Sequence, residues 1–202
     1  MNIVPWEITT GCERLTEGCD NCPTYWEAEA NGWDYHPKFH SSRLRDPYEM
    51  IPPVNIAVSP GSDLMHEAIT KKQIMSVVDV IKATPHNHYE IGTKRAERLV
   101  ALDIAWPDNC SVGIPVEESK YKWRIDMLRE VDVKSKMIMF GPMTGRVGEL
   151  NLEAIDYAGV VVEAWGPNPR KVEQSWVDEI KVQCEEWNVR YVSKHWVSKE
   201  TI

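Results

Sequence analysis

Residues 54–93 read VNIAVSPGSDLMHEAITKKQIMSVVDVIKATPHNHYEIGT, with a helical pattern between two short β-branched runs. The flanking runs VNIAVS and HYEIGT have the length of strands. Residues 70–84 repeat apolar side chains at helical spacing, and Thr70 stands where an N-cap residue is expected. One face of this helix carries Ile74, Val77, Val78 and Ile81. A strand, a helix and a strand in this order predict a βαβ unit with two parallel strands.

The same alternation continues along the rest of the chain. Further β-branched runs lie at 111–116, 136–140, 159–164 and 189–193. Two more helical patterns cover 119–131, with Trp123, Met127 and Leu128 on one face, and 174–187, with Trp176, Ile180 and Cys184. About six or seven such units predict an α/β fold with a partial (β/α)6–7 barrel. An open, doubly wound parallel sheet is the alternative.

Length, composition and charge narrow the classes of protein. The 202 residues predict a single domain over 1–202, and a hydrophobic fraction of 43% is enough to form its core. No apolar run reaches the roughly 18 residues of a membrane span, so no membrane association is expected. The net charge of −8 argues against broad, non-specific binding of nucleic acid. The N-terminus lacks the pattern of a signal peptide, which predicts a cytoplasmic protein with reduced thiols.

Three cysteines near the N-terminus predict a metal site. Cys12, Cys19 and Cys22 follow the pattern C-x6-C-x2-C, while Cys110 and Cys184 stand far away and read as structural. Thiolates bind both iron–sulfur clusters and zinc. Three thiolates on a cubane cluster leave one iron without a protein ligand, whereas a structural zinc site is closed by four protein ligands.

Two other readings of the cysteines stay open at this point. A structural zinc site requires a fourth ligand, for which His36 and His40 are the candidates. This reading has only one short Cys pair, where most zinc folds use two. A disulfide is the other reading, and the odd count of five cysteines and a reducing compartment disfavour it.

Polar residues follow the predicted strands, where α/β folds place their chemistry. They are Ser59, Ser62, Asp63, Thr93, Lys94, Arg95, Glu117, Thr144, Glu163, Lys194 and His195. Helix capping is the alternative role for Thr93 and Ser62. The variety of functional groups at equivalent positions predicts an active-site rim.

The chain resembles a radical S-adenosylmethionine (SAM) family encoded largely by phages and bacteria. The matching stretches are WEITTGCERLTEGCDNC, VSPGSDLMHEAIT, IGTKRAERL, VGIPVEESKYKWRIDML and WVDEIKVQCEEWNVRYVSKHW, which together span nearly the whole chain. The usual radical SAM motif is C-x3-C-x2-C, so the first gap is longer here. The resemblance therefore depends on the whole pattern and not on the cysteines alone.

The resemblance implies two cofactors. A [4Fe–4S] cluster would be held by Cys12, Cys19 and Cys22 in an N-terminal segment, 1–50, that precedes a barrel core, 51–202. SAM would chelate the open iron, and an electron from a host flavodoxin or ferredoxin would cleave it to a 5′-deoxyadenosyl radical that abstracts hydrogen from the substrate. By their rim positions, the residues assigned to SAM are Ser59, Ser62 and Asp63 for the end with the amino group, Lys94 or Arg95 for the carboxylate, and Glu117 for the ribose. The alternative for Lys94 and Arg95 is a solvated helix start.

The resemblance also implies a substrate, a substituent on a thymine-derived base of hypermodified phage DNA, such as an amino-acid adduct that is isomerised in the host cytoplasm. The aromatic segment 25–39 and the basic pairs Arg43–Arg45 and Lys71–Lys72 fit such a substrate. A nucleotide, a tRNA or a peptide is the alternative substrate. Two other classes remain, a non-catalytic zinc-binding interaction module and an acid–base barrel enzyme that uses Glu117, His66 and His195. Trp6, Trp26 and Trp33 are expected to fill the core, the alternative being a stacking wall beside the substrate.

Overall fold

Parallel strands and intervening helices form the fold in the computed structural model, which describes residues 3–163 and 169–193. The strands are β1 (Ile3–Trp6), β2 (Thr9–Thr10), β3 (Lys38–Phe39), β4 (Asn55–Val58), β5 (His88–Gly92), β6 (Cys110–Pro115), β7 (Ser135–Phe140), β8 (Tyr157–Val160) and β9 (Arg190–Ser193). The α-helices are α1 (Pro23–Asn31), α2 (Asp46–Glu49), α3 (Lys71–Ala83), α4 (Ala96–Ala101), α5 (Trp123–Glu130) and α6 (Gln174–Glu186). Short 3₁₀ turns cover Glu17–Cys19, Ser41–Arg45 and Ser119–Tyr121.

Seven of these strands form a single sheet, in which every pair of neighbouring strands is parallel. Its order is β1-β4-β5-β6-β7-β8-β9, which follows the chain without reversal. The predicted alternation of parallel strands and helices is thus confirmed. The sequence did not reveal β1, which pairs with β4 from Ile3 opposite Asn55 to Trp6 opposite Val58. The short strands β2 and β3 pair separately, antiparallel to each other.

The two faces of the sheet differ. One face is covered by helices, and its strand residues, such as Ile56, Ile91 and Ile138, belong to the apolar core. The opposite face contributes small or flexible residues to a cavity, among them Ala57, Gly92, Met137 and Met139. Glycines make this possible, since a Cβ on Gly113 would lie 2.2 Å from Met137 Cγ and one on Gly92 would lie 2.8 Å from Met139 Cε. The methionine side chains therefore lie across the neighbouring strands.

Helix α3 agrees with its prediction. Thr70 caps it, with its hydroxyl accepting from the backbone N–H of Gln73 while the Gln73 side chain accepts from the N–H of Thr70. The predicted apolar face is buried, and it consists of Ile74, Val77, Val78 and Ile81. Ile180 and Cys184 of α6 are buried as well. None of the helices in the described ranges has the length and apolar character needed to cross a membrane.

The tryptophans depart from prediction. Trp6 is buried at the end of β1, but Trp26 and Trp33 are 37% and 61% exposed, so the expectation of core packing was wrong for these two. Trp26 belongs to α1, in which only Ala28 is fully buried, and Trp33 follows the end of that helix. Trp123, predicted to face the core, is 41% exposed because it begins α5, where Ile125 and Leu128 supply the buried face.

Candidate functional site

A cavity of about 250 Å³ lies where β4, β5 and β6 end, and all three N-terminal cysteines line it. The cysteines belong to one loop, residues 11–22, which connects β2 to α1. The residues predicted from rim positions that line the same cavity are Ser59, Ser62, Asp63, Thr93, Lys94 and Arg95. Glu117 does not line the cavity but forms an ion pair with Lys94, which does. Lys194 and His195 lie outside the described residues.

Cys19 lies beside a cation. The Lys94 Nζ donates to Cys19 Sγ at 3.2 Å, and Thr16 Oγ1 lies 3.8 Å from the same sulfur. Burial by itself raises the pKa of Cys19, but the Lys94 ammonium and backbone hydrogen bonds with Leu15 and Thr16 bring the pKa below its usual value. The surroundings of Cys19 therefore favour the thiolate, the form that binds metals.

Cys12 has a different environment. Burial and the neighbouring Asp63 carboxylate raise its pKa to about 11, although Arg95 Nη1, 3.9 Å from the sulfur, acts in the opposite direction. Without a bound metal this group is thus a neutral thiol at physiological pH. A metal ion would reverse this, because a coordinating thiol is deprotonated outright.

Cys22 lies among neutral hydroxyl groups. Its sulfur is 3.2 Å from Thr24 Oγ1 and 3.9 Å from the Tyr35 hydroxyl. Thr24 Oγ1 is also 2.8 Å from the Tyr35 hydroxyl and donates to the carbonyl of Gly61 at 2.9 Å. Burial raises the pKa of Tyr35, so its hydroxyl stays protonated as a donor. Two cysteines therefore have cationic neighbours, and the third has hydroxyls.

Glu117 is fully buried and joins the loop to the sheet. Its Oε1 lies 2.6 Å from Lys94 Nζ and accepts from Thr16 Oγ1 at 2.7 Å, and its Oε2 accepts from Arg124 Nη1 at 2.7 Å. Gly18 packs against this group, since a Cβ on Gly18 would lie 2.9 Å from Glu117 Cγ. Both carboxylate oxygens are therefore engaged, and the predicted contact of Glu117 with the SAM ribose stays a prediction.

Two residues of the site, Thr16 and Arg124, were not predicted from the sequence. Arg124 is buried in α5 and its Nη1 also donates to the carbonyl of Pro115. Thr16 is separated from its partner Glu117 by 101 residues. No local pattern reports a contact of that span, although a charged side chain on the buried face of a predicted helix was a signal for Arg124.

Arg95 has a guanidinium that is only partly used. It donates to Asp63 Oδ2 and to Glu67 Oε2, each at 2.9 Å. Its Nη2 is buried and has no hydrogen-bond partner among the described residues. Thr93 supports this arrangement by donating to Asp63 Oδ1 and by accepting from the N–H of Arg95, a turn contact just before α4. Because a buried cationic donor without an acceptor is costly, Arg95 is suited to receive an anionic group of a ligand.

Ser59 and Ser62 hold the strand that precedes the cysteine loop. The Thr9 N–H and hydroxyl donate to Ser59 Oγ at 3.1 and 2.7 Å. Ser62 Oγ lies 2.7 Å from Thr9 Oγ1 and donates to the carbonyl of Thr9. Ser59 adopts a left-handed backbone conformation with φ of 51°. These hydroxyls thus have partners in the protein itself, and their predicted contact with SAM is untested.

Glu163 fixes the far side of the loop. It pairs with Arg170 and accepts from Asn21 Nδ2 at 2.9 Å. Arg170 Nη1 in turn donates to the carbonyl of Glu17 at 2.7 Å. Residues that follow β4, β5, β6 and β8 therefore all contact the segment containing the cysteines or the strand before it.

His66 lies on the outer side of this region. It is 4% exposed, its Nδ1 accepts from the N–H of Ala68, and its Nε2 is 3.6 Å from Glu13 Oε2. It is not among the residues that line the cavity, unlike the histidine that an acid–base mechanism would require.

The cysteine geometry distinguishes between metal groups. All five cysteines are free, which excludes the disulfide reading for this structure. Across residues 3–163 and 169–193, no three His, Cys, Asp or Glu side chains are gathered closely enough to hold one metal ion, and neither His36 nor His40 joins the three cysteines in such a group. A cubane is less demanding, because each thiolate binds a different iron and the sulfurs need only surround a common cavity. The three cysteines that line one cavity fit that requirement.

Comparison with known proteins identifies a family whose description names no activity. Residues 4–201 match the family described as a protein of unknown function (DUF5131). No curated protein and no solved structure matches the chain.

Proposed function

Because the chain belongs to the DUF5131 family, whose description names no activity, we propose a function from the site itself. The protein is a radical SAM enzyme that holds a [4Fe–4S] cluster on Cys12, Cys19 and Cys22. The observation that carries this proposal is the convergence of these three cysteines on one cavity at the carboxyl ends of parallel strands, with Cys110 and Cys184 buried elsewhere. Three thiolates would leave one iron of the cluster without a protein ligand, and SAM would chelate that iron.

The residues of the site have separate roles in this proposal. When bound, the cluster supplies one electron that cleaves the sulfonium of SAM, and a host flavodoxin or ferredoxin delivers that electron. Arg95 offers Nη2 to the SAM carboxylate as a charge-assisted donor. Ala57, Pro115, Met137 and Met139 form an apolar wall that excludes water from a reactive species. Asp63 and Glu67 keep the Arg95 guanidinium in place.

The architecture proposed for this function is a partial (β/α) barrel. The strand order has no reversal, whereas doubly wound sheets reverse at a switch point. Helices cover one face of the sheet, and the cavity occupies the other. Both features are expected of an incomplete barrel whose site lies at the carboxyl ends of its strands.

For the substrate we propose a group that projects from a larger molecule, with a modified thymine-derived base in DNA as the first candidate. The support is a pair of exposed aromatic side chains that lie outside the cavity. Exposed Trp26 and Trp33 offer stacking surfaces near the cysteine loop. The alternative substrates are a nucleotide, a tRNA and a peptide. They are distinguished from DNA by incubating each with the cluster-loaded enzyme and testing which one is altered.

The test is purification without oxygen, followed by measurement of iron, sulfide and zinc and of SAM cleavage to 5′-deoxyadenosine. We expect about four irons and four sulfides per chain, as a cubane requires. Cys19→Ala should lose the iron and keep the circular dichroism of the folded protein. The matched control is Cys184→Ala, which removes a buried thiol in α6 and should retain the iron. A colourless protein with one zinc after reconstitution would contradict the proposal.

A further inference from the structure

We propose that Lys94, fixed by Glu117, is a positioning residue that sets the reduction potential of the cluster through its hydrogen bond to Cys19. This inference depends on the proposed function, because it assumes a cluster on the three cysteines. It also divides the roles of two adjacent residues, with Lys94 serving the cluster and Arg95 serving SAM.

The donors of Lys94 are fully used inside the protein. An ammonium group has three N–H donors. In Lys94 they have three acceptors, Cys19 Sγ at 3.2 Å, Thr16 Oγ1 at 2.9 Å and Glu117 Oε1 at 2.6 Å. None remains for the carboxylate of SAM. The buried Nη2 of Arg95, by contrast, has no partner in the described part of the chain.

Two neighbours restrict the position of the Lys94 side chain, Glu117 and Gly18. Glu117 is anchored at its other oxygen by Arg124, so the carboxylate has little freedom to follow a moving lysine. Gly18 covers the pair, since a Cβ on this residue would lie 3.0 Å from Lys94 Nζ. The Lys94 side chain is 18% exposed, so water screens its charge only partly. A fixed, weakly screened cation therefore lies against one thiolate.

The sign of the effect follows from charge. Reduction adds an electron to the cluster, and a cationic donor at a ligand sulfur stabilises the more negative state. Hydrogen bonds to the sulfurs and local charge are known determinants of cluster potentials. Lys94 should therefore raise the potential, which eases delivery of the electron that SAM cleavage requires.

The experiment is a redox titration of the reconstituted holoprotein, followed by electron paramagnetic resonance, on variants with equal iron and sulfide content. Lys94→Met should lower the ratio of reduced to oxidised cluster at a fixed potential about tenfold, a shift of roughly 59 mV to more negative values. Glu117→Gln, whose amide oxygen can still accept from Lys94, should shift the potential the opposite way, because it removes the anion beside the cation. Lys94→Arg keeps the charge and should remain near the wild-type potential. Lys134→Met, which removes an exposed lysine at the other end of the sheet, is the control and should change nothing.

The outcomes separate the two claims. A wild-type protein that takes up no iron overturns the proposed function and this inference together. Full iron and sulfide in Lys94→Met with an unchanged potential overturns the inference alone. The inference is also overturned if Lys94→Met and Glu117→Gln shift the potential in the same direction. It is overturned as well if both variants and Lys94→Arg lose the cluster, because the Lys94–Glu117 pair would then be merely structural.

Discussion

Gly18 and Glu117 approach each other so closely that a Cβ on Gly18 would lie 2.9 Å from both Cγ and Oε1 of the glutamate. The backbone of the cysteine loop thus rests directly on a buried ion pair. Such a distance is shorter than atoms tolerate, and the glutamate has no room to retreat because Arg124 holds it. The absence of a side chain at residue 18 is therefore what allows the loop to sit on the sheet.

Gly18→Ala should displace the loop and weaken the proposed cluster site. The added methyl group must move either the loop or the Lys94–Glu117 pair, and overpacking of this kind costs about 1–3 kcal/mol. We expect partial loss of iron after reconstitution and a lower midpoint of urea unfolding. Gly145→Ala is the matched control, because the nearest atom to its Cβ would be the carboxylate end of the Glu118 side chain, with Oε2 at 3.1 Å. Full iron uptake by Gly18→Ala would refute this account of the contact.

Arg95→Lys should weaken the binding of SAM more than it weakens the fold. The lysine keeps a charge for Asp63 but lacks the second arm of the guanidinium that we assign to the SAM carboxylate. Loss of one charge-assisted hydrogen bond of about 1.5–3 kcal/mol corresponds to roughly a 10- to 150-fold rise in the Kd. Isothermal titration calorimetry of the cluster-loaded protein with SAM measures this Kd. An unchanged Kd would assign the carboxylate to another residue.

Arg124→Met should destabilise the protein strongly. It leaves the fully buried Glu117 with one cation instead of two and removes a donor from the carbonyl of Pro115. Breaking a buried ion pair from one side costs about 3–5 kcal/mol. Urea unfolding gives the free energy. The comparison is Arg146→Met, which breaks the exposed pair with Glu179 and should leave the unfolding midpoint almost unchanged. Equal effects of the two variants would contradict the importance of burial.

Glu7→Gln should stabilise the protein at neutral pH and not in acid. Burial raises the pKa of Glu7 above its usual value, with a hydrogen bond from the N–H of Gly61 and the charge of Arg43 opposing this. A carboxyl group whose folded pKa is raised binds its proton more tightly in the folded state. Its contribution to stability is complete below the unfolded pKa, about 4.5, and is lost as the pH rises through the folded pKa.

The measurement for Glu7 is urea unfolding of both proteins from pH 4 to pH 7. The variant should gain on the wild type as the pH rises, since glutamine has no charge to bury and its carbonyl still accepts from Gly61. A difference that shrinks with rising pH would mean that the folded pKa is lowered instead.

Local patterns predicted the elements, and contacts between distant residues decided the details of the site. Helix α3 was predictable because Thr70 caps it and its apolar residues recur at helical spacing. Strand β1 was not, because it has only four residues and one of them is Pro5, which strand patterns disfavour. The rim position of Lys94 was predictable from the end of β5. Its partners were not, because whether an ammonium faces a ligand, a sulfur or a carboxylate depends on Glu117 and Thr16.

The residues that contact the cysteine loop and the strand before it are far from it in sequence, and this affects the order in which the site can form during synthesis. The contacts Thr9–Ser59, Cys19–Lys94, Thr16–Glu117 and Asn21–Glu163 span 50, 75, 101 and 142 residues. During synthesis the cysteines leave the ribosome early, but the last of the residues that seat their loop leaves much later. The thiols are thus made long before their environment exists, and under the proposed function the cluster would be loaded after the chain has folded. The same proposal requires that these three thiols stay reduced through that interval and that iron reach a folded apoprotein.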